Sequence, residues 1–199
     1  MSLVRAGSIV EADWLARPAR EVAPALIGCT LVRQVGDRVV RGVIVETEAY
    51  EPGDPACHAY RRRTARNEPM FGMAGLAYVY LIYGMYHCFN VVADVEDVPS
   101  AVLIRALQLE SIPPWLEPRH TRVRHRIAAG PGKLSRAMGI DGTCSGRRLE
   151  PKQGLWLQHR DRPWLENPLA IVQTTRIGIS QGTELPWRWY ADCAAVSKR

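Results

Sequence analysis

An α+β fold built on a mainly antiparallel sheet is what this sequence predicts, and three observations predict it. Stretches rich in β-branched and aromatic residues come in pairs joined by short turns, as in LVRQV-GDR-VVRGVIVETEA and LAYVYLIY-G-MYHCFNVVA. That is the pattern of antiparallel hairpins. Helical spacing is confined to three short stretches, too few to cover both faces of a parallel sheet. The 199 residues contain no internal repeat, low-complexity tract or linker. A single mixed domain over residues 1–199 is therefore expected, with a curved sheet, a few short helices and a protruding hairpin.

The elements follow in order. Asp13 is placed to cap a short helix through Arg17, which Pro18 interrupts, and residues 19–27 repeat apolar Val22, Ala25 and Leu26 before the C-terminal signal Gly28. Residues 29–35 and 39–49 read as two strands around a Gly36-Asp37-Arg38 turn. In the second, Glu46, Glu48 and Tyr50 share one face and Thr47 and Ala49 the other. Residues 51–75, rich in Pro, Gly and Arg, form a long irregular stretch of the kind that usually carries function. Residues 76–83 and 85–93 make a hairpin about Gly84, and 100–108 (SAVLIRALQ) a further apolar strand with Arg105 alone inside it. Prolines 113, 114 and 118 make 112–126 a loop. GPG at 130–132 opens a helix that stops at Gly139, and LWLQ, LAIVQTTRIGIS and WRWYA supply the remaining strands.

Charge narrows the function classes. The net charge is +6, and 23 of the 26 basic residues are arginine. Arginine is the better residue for bidentate phosphate contact and for stacking, so a phosphate-rich partner is favoured, although a coding bias toward arginine would give the same count. Five scattered cysteines with no CxxC pair or Cys/His cluster indicate neither a zinc site nor a disulfide framework. With no apolar leader and no apolar run near the roughly 18 residues of a membrane span, a cytoplasmic protein is expected.

Candidate chemistry clusters between Arg41 and Asn90. Glu46 and Glu48 point to one side of their strand, and like charges that close raise at least one pKa, as a general acid or base requires. Solvated glutamates, or one paired with an arginine, would look the same in sequence. Arg105, in an apolar strand, must meet a carboxylate, backbone carbonyls or a ligand, and Glu46 is one candidate. His58 lies in the loop, where it is either solvated or able to orient a water or bond a phosphate. Tyr78 and Tyr80 share a strand face, as core aromatics do. Tyr83 abuts the Gly84 turn, where a side chain projects outward as a wedge between stacked bases would need to. The runs Arg61–Arg66 and Arg119–Arg126 are either solvated or hold phosphates.

The motifs VIVETEAY, His58, TARN, MFG, YVYLIYGMYHCFN, VLIRAL, GPGKLSRAMGI, RIGI and PWRWY together resemble the alkyladenine (3-methyladenine) DNA glycosylase family along most of the chain. The resemblance implies a monofunctional glycosylase that flips alkylated, and also deaminated, purines out of duplex DNA. It implies hydrolysis of the N-glycosidic bond with a Glu-activated water, leaving an abasic site. By it Glu48 is the general base and Arg105 helps to hold the water and the adjacent phosphate. Tyr50 and Tyr80 sandwich the flipped base, His58 contacts the base or its sugar-phosphate, and Asn90 crowds the exocyclic amine of undamaged guanine. Tyr83 intercalates, Met85 and Tyr86 flank it in the minor groove, and Arg62, Arg63 and Arg66 contact DNA. A cationic alkylated purine between the tyrosines would gain a cation–π term of about 0.5–2 kcal/mol. No lysine lies near the motif in sequence, which argues against Schiff-base chemistry. No metal and no organic cofactor are implied. The expected partner is double-stranded DNA containing damaged purines, bound by a monomer that associates with the nucleoid. The competing reading is a non-catalytic nucleic-acid-binding module using the same loops and hairpin.

Overall fold

The computed structural model describes residues 5–197. Its elements are α1 (Ala12–Leu15), α2 (Ala19–Leu26), β1 (Thr30–Val35), β2 (Arg38–Tyr50), β3 (Ala77–Ile82), β4 (Tyr86–Val92), β5 (Ala101–Leu109), α3 (Pro131–Met138), β6 (Leu155–Gln158), α4 (Arg162–Glu166), β7 (Ile171–Thr174) and β8 (Arg188–Ala191). The strands form one eight-stranded sheet in the order β3-β4-β5-β2-β1-β6, with β8 pairing β2 and β7. Every pairing between named strands is antiparallel. The fold is α+β, as the paired strand patterns predict.

β2 is the axis. Of its 13 residues, Gly42 to Tyr50 run beside β5 along one edge, while β1 takes the other edge up to Val43 and β8 takes it over from Glu46 to Glu48. The exchange coincides with bulges on either side of Glu46, where the register to β5 shifts; a bulge re-aims the side chains around it. One face of β2 packs against α2, to which Thr47 is tied by its Oγ1 donating to Ala23 O at 2.9 Å. Leu26, Leu31, Ile44, Ile104 and Leu107 are fully buried in that core, and each such side chain contributes about 1.5–3 kcal/mol of burial energy. The other face, with α3 against β4 and β5, carries the site.

Four sequence expectations are corrected. Asp13 lies inside α1; Glu11 takes the cap position without a side-chain capping bond, and the helix ends at Leu15, short of Arg17. The β1–β2 turn is Gly36-Asp37 alone, because Arg38 already pairs with Val35. Residues 162–166 form α4, its first turn held by the Asp161 carboxylate accepting from Trp164 N; Asp followed by an early Pro is a helix-start signal that a strand reading passes over. RIGIS is no strand: β7 stops at Thr174, and the chain from Arg176 onward spends its polar groups on β2 and the loop beyond it. Among the described residues no helix is long and apolar enough to cross a membrane.

Candidate active site

A cavity of about 740 Å³ opens between β3, β4, β5, the start of α3 and the 177–181 segment. From β2, Tyr50 lines it. Glu46 and Glu48 are both fully buried on the same side of that strand, bridged by Arg105 from β5. Arg105 donates from Nε to Glu46 at 3.2 Å and from Nη1 to Glu48 at 3.1 Å. Burial opposes its charge, but Glu48 and then Glu46 outweigh that cost and raise its pKa. Two carboxylates left alone in a dry core would be untenable; paired guanidiniums make the arrangement possible.

The two glutamates have different company. Glu46 accepts from Arg105, from Arg188 Nε at 2.7 Å, and from Ser197 N and Oγ at 2.7 and 2.8 Å. Its oxygens are committed to tying β2, β5, β8 and the C-terminal segment together. Glu48 accepts from Tyr50 Oη at 2.8 Å, Arg105 Nη1 at 3.1 Å and the main-chain N–H of Ile177 at 2.8 Å. Tyr50, Arg105 and Ile177 all line the cavity, so Glu48, itself without exposed surface, sits directly behind its wall. Neither glutamate is the solvated strand carboxylate that spacing alone also allowed.

The aromatic walls come from β2 and β3. Tyr50 leaves the end of β2, and Tyr78 and Tyr80 project from β3 into the same cavity. Burial, with Glu48 next, holds the Tyr50 phenol well above its ordinary pKa; burial, with Cys88 next, does the same for Tyr80. His58 packs edge-on to Tyr80, ring centroids 4.5 Å apart, and its Nδ1 lies 2.8 Å from Tyr78 Oη. Enclosure by these rings, then the charge of Arg66, lowers the His58 pKa below its usual 6.5, although the residue remains partly exposed. Tyr78 is pushed up to about 12 by burial. Asn90 on β4 lines the cavity, its Nδ2 donating to Tyr78 O at 3.0 Å and so fixing the amide.

Beside the cavity mouth stands the β3–β4 turn. Tyr83 is 81% exposed and Met85 67%, and Tyr86 is also exposed. Tyr83 adopts φ 54°, a left-handed conformation that side chains rarely take, followed by Gly84 at φ 68°. An exposed aromatic held in a strained turn is a feature of binding tips rather than of stable cores. Across the mouth, a Cβ on Gly132 would come 3.0 Å from Tyr86, so the start of α3 needs that glycine to approach the hairpin.

The arginines divide. Arg66 lines the cavity, its guanidinium 5.5 Å from the Tyr80 ring centroid and its Nη2 donating to Leu81 O. Arg62 is exposed beside a second, shallower hollow. Arg63 is instead engaged with Glu68 at 2.6 Å and Asp97 at 2.9 Å and lies over Phe71. Buried Asn67 holds this loop in shape, donating to His58 O and Arg62 O and accepting from Thr64 N.

Sequence reading gave no role to three other groups here. Ile177 supplies a main-chain donor, invisible in any side-chain pattern. Arg176 and Asp54 form a fully buried ion pair behind Tyr50; a lone Arg in TTRIGI was the available signal. Lys133, remote from the other site residues in sequence, lies on the cavity wall, so sequence distance is no argument against amine chemistry. No cluster of three or more His, Cys, Asp or Glu that could hold a metal occurs among the described residues.

The methylpurine-DNA glycosylase family model matches residues 13–194. A protein of Trichodesmium erythraeum, provisionally named 3-methyladenine DNA glycosylase, is 58% identical over 197 residues, covering 96% of this chain and 98% of its own. Proteins bearing the same provisional name are 56% identical in Synechococcus sp. (strain JA-3-3Ab), covering 89% and 93%, and 44% identical in the archaeon Methanocella arvoryzae, covering 96% of each. A family match over most of the chain, with relatives this similar over nearly their whole length, settles its membership: the chain belongs to the methylpurine-DNA glycosylase family and is an enzyme of that DNA-glycosylase type.

Proposed function

We propose that the protein is a monofunctional glycosylase that flips alkylated and deaminated purines out of duplex DNA and hydrolyses the N-glycosidic bond, leaving an abasic site. The observation that carries this is Glu48, held by Tyr50, Arg105 and Ile177 N–H directly behind the wall of a cavity of base-accepting size with aromatic walls. A duplex hides its glycosidic bonds, so the nucleotide must leave the stack, at a cost of a few kcal/mol that is least for a damaged or mispaired base. Tyr83, exposed beside the mouth, fills the gap, with Met85 and Tyr86 flanking it. Tyr50 and Tyr80 provide flat walls for the base, His58 and Asn90 polar contacts at its edges, and Arg62 and Arg66 cations for neighbouring phosphates.

In the chemical step the C1′–N bond breaks with its electron pair leaving on the base. The oxygen of a water bonds to C1′, and Glu48 takes that water's proton. Arg105 orients Glu48 and faces the cavity, so it serves both the carboxylate and the incoming water. Glu46 plays no part in proton transfer; it anchors Arg105. The enzyme works as a monomer on chromosomal DNA in the cytoplasm.

The test is release of free base from duplexes carrying one 3-methyladenine, 7-methylguanine, hypoxanthine or ethenoadenine. At least one should be released, leaving an intact strand with an abasic site. No release from any of the four would overturn the reading in favour of a binding module. Because Lys133 lies on the wall, borohydride should be added during turnover. A trapped protein–DNA adduct would replace the hydrolytic mechanism with a Schiff-base one.

A further inference from the structure

Tyr50 lines the cavity and has a cation against its ring. The Arg176 guanidinium lies 4.7 Å from the Tyr50 ring centroid, within cation–π range. Its side chain has no exposed surface and is not part of the cavity wall, so it covers the face turned away from the cavity. It is also fixed. Arg176 Nη1 and Nη2 pair with the two oxygens of Asp54, and they donate to Ala49 O at 3.0 Å and Gly182 O at 3.3 Å. The guanidinium also lies 5.3 Å from the Trp187 ring centroid.

A ring has one π system for two faces. Density drawn toward a cation on the back is density withdrawn from the front, and both partners of a cation–ring–cation stack repel through a dry core where screening is weak. Asp54 neutralises the pair as a whole, yet the phenol responds to the guanidinium. After burial, Glu48 and Tyr80 push the Tyr50 pKa up and Arg176 pulls it down. Arg66 puts a second cation 5.5 Å from the Tyr80 ring, but it is exposed and solvent screens it.

We propose that Arg176 is a specificity-determining positioning residue: a fixed cation behind Tyr50 that disfavours cationic N-alkylpurines and favours neutral damaged purines in the same cavity. This rests on the glycosylase reading above. The chemistry of departure gives the effect its direction. A cationic base becomes neutral as it takes the electron pair of the C1′–N bond, so the repulsion acts mainly on the bound state. A neutral base becomes anionic, so the cation behind the ring acts on the transition state. The cation–π gain expected from the sequence for alkylated bases is thereby reduced at Tyr50.

The experiment compares the second-order constant for release, the single-turnover rate divided by the half-saturating enzyme concentration, for 7-methylguanine, a cationic lesion, and for hypoxanthine, a neutral one, each in an otherwise identical duplex. Affinities in a Glu48→Gln background isolate the bound-state part, where removing the charge should raise affinity for the cationic lesion and leave the neutral one nearly unchanged. The double variant Arg176→Gln with Asp54→Asn removes both charges and leaves polar groups to bond each other. Its preference for 7-methylguanine over hypoxanthine should rise by roughly threefold to tenfold. Arg176→Lys, which keeps the charge, should stay within about twofold of the wild-type ratio. Asp54→Asn, which leaves the cation less neutralised, should move the ratio the opposite way. Because the signs are opposed, either charge-changing variant decides the matter if the other does not fold. Equal losses on both lesions, or a Lys variant that shifts as far as the uncharged pair, would make Arg176 merely structural. Release of neither base by the wild type would instead sink the glycosylase reading.

Discussion

Tyr50 Oη donates to Glu48 Oε2 at 2.8 Å, so the residue that walls the cavity is bonded to the carboxylate behind it. The two are separated by one residue on β2, and Glu48 lies in the stretch where β8 replaces β1 on that strand's edge. All three partners of Glu48 are donors and all three line the cavity, so they fix the carboxylate directly behind its wall.

Glu48→Gln should lower base release by at least about 10²-fold, the usual worth of a positioned general base. Tyr50→Phe keeps the ring but deletes one charge-assisted bond of about 1.5–3 kcal/mol, so release should fall by roughly tenfold or more. Single-turnover rates, with duplex affinity measured alongside, check both. A Glu48→Gln protein that loses DNA binding as completely as release would show that Glu48 is structural.

Glu46→Ala should behave differently. It strands Arg188 in the core, leaves Arg105 with Glu48 alone and severs the tie to Ser197. Breaking a buried pair in this way costs about 3–5 kcal/mol. Urea denaturation should show that loss, and any remaining folded protein should retain catalysis better than Glu48→Gln. A stable but inactive Glu46→Ala would reverse the roles assigned to the two glutamates.

Tyr83→Ala should leave the thermal midpoint nearly unchanged, because the side chain packs against little and its backbone conformation is already unfavourable for a non-glycine residue. Lesion-specific binding should fall, read by the fluorescence of a reporter base beside the lesion. An unaltered flipping signal would remove the wedge role.

The arginines should separate by salt titration. Arg62→Ala should reduce the slope of log affinity against log salt by about 1, as expected for one lost phosphate contact. Arg63→Ala should change it less, because that guanidinium is already engaged by Glu68 and Asp97. A larger effect at Arg63 would mean that DNA displaces the acidic partners.

His58 makes a pH prediction whose sign is set by its lowered pKa. Between that value and 6.5 the unfolded chain binds more protons than the native one, so stability rises with pH there. The contribution is present above 6.5 and is lost as pH falls through the native pKa. Titration of the imidazole by NMR should place it below 6.5, and Arg66→Ala should raise it without restoring it fully, since burial is the larger cause. A native pKa above 6.5 would contradict this.

How much of this was legible in the sequence depends on the range of each interaction. β-Branched periodicity and turn residues announced β1 to β5, and the parity rule put Glu46 and Glu48 on one face, because these are properties of a few neighbouring residues. Tyr83 was marked as exposed by its place beside Gly84. The motifs identified the family. Four features needed the assembled chain. Residues 162–166 received no element from the sequence, because α4 is a single short turn whose only local signals are Asp161 and Pro163. RIGIS alternates like a strand, yet its backbone bonds Glu48 instead of a neighbour. Glu46 and Glu48 are alike by spacing and differ only through Arg188, Ser197, Tyr50 and Ile177, which lie up to 151 residues away. Arg176 and Asp54, separated by 122 positions, meet behind Tyr50 only because β2 and the segment after β7 fold together. Periodicity determines which side of a strand a carboxylate faces. Its surroundings there, and hence its chemistry, are supplied by strands and loops that only the tertiary fold brings into contact.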